Sequence, residues 1–97
     1  MSTNDRTATK RTAPSLALEA AALAYAAAVA AYRTESEAVS TDHLAATGSH
    51  YGSHTTPEAD ARLRPLREAL AVADGRMGRA AVALWKAEQR RGARAKP

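Results

Sequence analysis

Between Leu63 and Ala87, eight positions at alternating spacings of three and four (Leu63, Leu66, Leu70, Ala73, Met77, Ala80, Leu84 and Ala87) are all apolar. A stripe with that period runs along one side of an α-helix; a strand, whose side chains alternate every two residues, would scatter it over both faces. A second seam precedes it. Leu18, Tyr25, Tyr32 and Val39 recur every seven residues, with Ala22, Val29 and Ser36 between them. Two such seams predict an all-α fold: a long, coiled-coil-like antiparallel two-helix hairpin.

The punctuation of the sequence sets the boundaries. Pro14 and Ser15 offer a helix start, proline in the first turn or serine as the cap. The first helix is predicted over 14–47, with Gly48 as a left-handed terminator. Residues 48–56 (GSHYGSHTT) are a loop by composition. Thr56, Pro57 and Glu58 then supply a capping hydroxyl, a first-turn proline and an acid near the positive end of the helix dipole. The second helix is predicted over 57–91. Pro65 should kink it, because its ring opposes the carbonyl of Ala61. Gly75 and Gly78 each weaken it by roughly 1 kcal/mol relative to Ala, yet the seam passes through both. Residues 1–13 read as a disordered tail, and 92–97 as a basic tail in which the helix frays.

A short loop makes the two helices antiparallel. A turn near Tyr51 places Leu18 against Leu84, Tyr25 against Met77, Tyr32 against Leu70 and Val39 against Leu63. Ala22 with Ala80 and Val29 with Ala73 form thinner layers between. The same register brings Asp42 near Arg62, a surface pair worth about 0–1 kcal/mol.

Size and composition make this hairpin a weak folding unit alone. The chain has 97 residues, no Phe, and aromatic side chains only at Tyr25, Tyr32, Tyr51 and Trp85. Alanine supplies much of the apolar content, and it brings helix propensity but little buried area. A hairpin of this kind calls for a second copy or a protein partner to complete a helical bundle. The faces for it are also legible. Ala71, Gly75, Gly78, Val82 and Trp85 follow three–four spacing on nearly the opposite side of the second helix. Leu16, Ala20, Leu23, Ala27 and Ala30 repeat the feature on the first. A helix apolar on two faces is covered on two faces, and glycines on one of them allow a neighbouring backbone to approach closely. Ala71, Gly75, Gly78, Val82, Trp85, Leu16 and Leu23 are therefore the expected partner face.

Chemistry-bearing clusters are sparse. There is no Cys, which removes disulfides and thiolate metal sites. His43, His50 and His54 gather at the turn, and His50 and His54 have the four-residue spacing of helical metal ligands. In a Gly/Ser loop that spacing gives no shared face, so they are weak metal candidates and read as solvated side chains. Ser40, Asp42 and His43 contain the residue types of a hydrolytic triad, but triad members converge from separate segments around a pocket. No cofactor and no enzymatic activity are expected.

Arg6, Lys10 and Arg11 precede an uninterrupted apolar run from Ala20 to Tyr32, an outline shared with signal peptides. Glu19 stands where the apolar region should begin, and the run is shorter than the ~18 residues a bilayer span needs. A cytoplasmic protein without a membrane span is expected. Arginine outnumbers lysine 11 to 3, which with the alanine content suggests a G+C-rich coding sequence of bacterial or phage origin.

Charge is distributed unevenly. Residues 14–56 carry net −3, residues 57–85 carry +1, and residues 86–97 carry +4. Arg76, Arg79, Lys86 and Arg90 line one side of the second helix between its apolar stripes, and Arg91, Arg94 and Lys96 continue toward the end. Such a stripe can contact phosphates, anionic lipid or an acidic protein. The segment 67–91 also loosely resembles a helix-turn-helix DNA reader. Ala71 precedes Gly75 by four, Val82 and Trp85 would be buried anchors, and Arg79, Lys86 and Arg90 would point outward. The anchors fall one position later than that pattern, and a turn at Gly75 would break the continuous seam. The reading that follows is a non-enzymatic helical interaction module that self-associates or docks on a protein. A small basic nucleic-acid-binding protein is the alternative.

Overall fold

The computed structural model describes residues 12–95. Two helices account for the fold: α1, Ala13–Thr47, and α2, Pro57–Ala95. Among the described residues there is no strand. The chain is an antiparallel helical hairpin, as the two seams require.

The helix ends follow local hydrogen-bonding needs, since the first amides and last carbonyls of a helix have no partner within it. At the start of α1 the cap is Thr12, whose Oγ1 accepts from the Ser15 amide at 3.2 Å. Ser15 itself, the capping alternative read from the sequence, lies inside the first turn. Gly48 ends the helix at φ +79°, donating its amide to the Leu44 carbonyl at 2.7 Å. At α2, Thr56 Oγ1 accepts from the Ala59 amide at 3.0 Å, and Glu58 and Asp60 place negative charge in the first turn. The helix passes through Pro65, Gly75 and Gly78 without interruption. It also continues to Ala95, beyond the expected fraying point at 92. The tail expected over 1–13 falls outside the described residues up to position 11, and Ala13 already belongs to α1.

Burial tracks the seams closely on α2, where all eight stripe positions are buried or half-buried. On α1 the phase differs at one layer, where alanines lie on every side: Ala21 is half-buried and Ala22 exposed. The fully enclosed core is small. It comprises Val39, Ala59 and Leu63, with Tyr32 packed against them, and Ala73 is buried further along. Val39 and Leu63 thus share a layer, as the register predicts. The radius of gyration is 20.6 Å, against about 12.5 Å for a globule of this length. Two helices side by side leave the outer side of each one open.

The α1 helix is long enough and apolar enough, by length and composition, to cross a bilayer. The sequence expectation of no span rested on the shorter run from Ala20 to Tyr32. The core helix of a soluble protein and an N-terminal signal sequence meet the same criterion.

Candidate functional site

The turn is held by its histidines. The loop returns antiparallel to the end of α1, so loop residues four apart meet helix residues four apart. His54 Nε2 lies 2.8 Å from Ser36 Oγ and 3.3 Å from the Ser36 carbonyl oxygen. One helical turn on, His50 Nδ1 lies 2.8 Å from Ser40 Oγ. His43 Nε2 donates to the Tyr51 carbonyl at 2.9 Å. The buried Ser53 hydroxyl sits 3.0 Å from His54 Nδ1. These rings, expected to be merely solvated, tie loop to helix. The signal for this was Ser36, a polar residue in an otherwise apolar seam, with Ser40 one turn beyond it.

The arrangement disperses the other candidate chemistry. Ser40 engages His50, Asp42 engages Arg62 and His43 engages Tyr51, so the three triad residue types have separate partners. Among the described residues no group of three or more His, Cys, Asp or Glu side chains could hold a metal ion.

On the turn half, several charges are paired. Arg62 bridges the helices, with Nε 2.7 Å from Glu35 Oε2 and Nη1 2.9 Å from Asp42 Oδ2. The expected Asp42 pair is present, and Glu35 is an additional partner. The hydrogen bonds it donates to Glu35 first, then to Asp42, raise the Arg62 pKa above its ordinary value. Asp60 accepts from Arg64 and Arg67, and the Arg64 bond is the largest cause holding its carboxyl below the usual range.

The expected partner face lies on the outside. Trp85 is 61% exposed, Leu23 69%, and Val82 and Leu16 about half. Ala71 and Gly78 are exposed too, and Gly75 is half-buried beneath Arg79. The hairpin does not bring the two stripes together, because each points away from the seam on its own helix. Between the helices, Tyr25, Tyr32, Arg67, Leu70, Ala71 and Asp74 line an open groove of about 440 Å³. Tyr25 and Tyr32 are half-buried at this point.

Arg76, Arg79, Lys86, Arg90 and Arg91 are all exposed on α2, and no ion pair among the described residues holds any of them. The Arg94 side chain falls outside the described portion. Gly75 is helical and its φ is not positive, so segment 67–91 is one helix without the turn of a helix-turn-helix. No protein-family model matches this chain, and neither a curated protein nor a solved structure matches it.

Proposed function

We propose that the chain is a non-enzymatic assembly module, a helical hairpin that self-associates or docks on a protein partner through its outer apolar faces. The observation carrying this reading is a mismatch of burial. Val39, Ala59, Leu63 and Ala73 are the enclosed apolar residues, whereas Trp85, Val82, Val72, Leu23 and Leu16 stand exposed along the open half. Fully burying one large apolar side chain is worth about 1.5–3 kcal/mol, so covering these residues would add substantially to what the seam between the helices supplies. Sedimentation equilibrium at micromolar concentration tests the reading. Mass above the monomer is expected, and a stable monomer with a cooperative melt would overturn it.

A second reading, nucleic-acid binding, is favoured by the unpaired run of Arg76, Arg79, Lys86 and Arg90. It needs no helix-turn-helix, since phosphate contact requires exposed cations rather than a fixed reading head.

A further inference from the structure

The stripe on α2 is ordered by size. Its N-terminal half is Ala71 and Gly75, its middle is Gly78, and its C-terminal half is Val82 and Trp85. Reversed about Gly78, the stripe becomes its own complement. In that antiparallel register, position 85 falls opposite 71 of the other copy, and 82 opposite 74 and 75. Trp85 meets Ala71 and Val82 meets Gly75, with the Asp74 carboxylate at the edge of the Val82 contact. Seven residues separate Gly78 from Ala71 and from Trp85, so the match holds on both sides of the axis. A self-complementary patch of this kind is what a two-fold interface demands.

The hairpin itself gives the glycines no role. A Cβ at Gly78 would meet nothing within 4 Å, and one at Gly75 would meet only the mobile end of Arg79, 3.3 Å away. Both have ordinary helical backbone. A close helix approach from outside would use the space they leave. Charge agrees with the same register. In an antiparallel coiled coil, residues preceding the seam on one helix face their counterparts on the other, which sets Glu88 of one copy opposite Arg67 of its partner on both sides, where Arg67 also holds Asp60. The cost of the register is Arg79, which falls beside its own copy near the axis.

The geometry points to a second copy of this chain as the occupant of the stripe, packed antiparallel through α2 about a two-fold axis at Gly78. This rests on the assembly reading above and names its surface. The chain contains no Cys, so single cysteines report the register directly. Under mild oxidation Gly78→Cys should form a covalent dimer, because a disulfide needs Cα atoms within about 7 Å and position 78 meets itself at the axis. Ala71→Cys and Leu23→Cys should remain reducible monomers. Trp85→Ala should raise the dimer dissociation constant roughly 30-fold, as for an aromatic anchor buried in an interface, and Arg79→Gln should lower it. Equal cross-linking at 71 and 78 would mean a parallel pair and overturn the inference. Faster cross-linking at 23, or a wild-type dimer whose stability ignores Trp85→Ala, would place the contact elsewhere and overturn it while leaving the assembly reading intact. A wild-type monomer at all concentrations would overturn the inference together with self-association, leaving only docking on a different protein.

Discussion

Leu63 has no exposed surface, and it is the point on which the core turns. Replacing it by Ala removes its contacts with Val39, Ala59 and Tyr32 and leaves a void that long helices cannot collapse around. A cost of about 2–5 kcal/mol is expected, which a marginal hairpin will not survive; circular dichroism in urea should show most of the helical signal lost before denaturant is added. Gly48 is a different kind of constraint. Its φ of +79° strains any residue with a Cβ, so Gly48→Ala should destabilise by about 1 kcal/mol although nothing lies near the new methyl. Asp60 sets a pH dependence. Its folded pKa is lowered, chiefly by the Arg64 hydrogen bond, so the stabilisation is present at neutral pH and lost as pH falls through the folded value. Thermal midpoints should therefore decline below about pH 4, and Asp60→Asn should flatten that acid limb. At this scale the sequence announces glycines, prolines and caps well, because their effect is local. It concealed Thr12, since Pro14 and Ser15 gave a sufficient start without it. It also concealed the histidine contacts, which join residues 18 and 10 positions apart across a loop whose path composition alone does not define.

The α2 helix is the most legible element, because its eight seam positions repeat without a polar residue and burial follows them. On α1 the apolar run is largely alanine, and methyl groups on every side leave the phase weakly specified; hence Ala21 rather than Ala22 turns inward. The sequence suggests an end for α2 near Arg91, short of Ala95, because Gly92 and the run of charge around it look like a frayed tail. A single glycine lowers helix propensity without ending a helix that has arginine and alanine around it. The same logic yields a test at Gly75. Alanine there meets only the flexible Arg79 guanidinium, so it should stabilise the isolated hairpin by about 0.4–1 kcal/mol. A bend at this site would give the opposite sign. Thermal melts by circular dichroism, run at a concentration where the protein is monomeric, separate helix propensity from any effect on association.

At the scale of the whole molecule, charge divides the hairpin. Carboxylates concentrate on α1 and the start of α2, where Arg62, Arg64 and Arg67 answer them. Toward the end of α2, Arg76, Arg79, Lys86, Arg90 and Arg91 have no such partner among the described residues, and this asymmetry is what a polyanion would engage. Each phosphate neutralised releases condensed counterions, so affinity for duplex DNA should fall with salt at a log–log slope near −0.9 per contact. Four contacts from Arg76, Arg79, Lys86 and Arg90 imply roughly −3 to −4. Replacing Arg79 and Lys86 together by Ala should flatten that slope by about 2, and helicity should not fall, since alanine is the better helix former. A face that is merely solvated would bind DNA weakly, and the double variant would then match the parent. Sequence preference is a separate matter, because it requires groups that read base edges. Beyond its arginines and lysine this stretch offers Gln89 as its lone amide, and α2 has no turn to angle a reading helix into a groove. Binding that followed phosphate density and salt while ignoring sequence is therefore the expected outcome. A salt-tolerant preference for one short site would demand a different geometry from an unbroken helix.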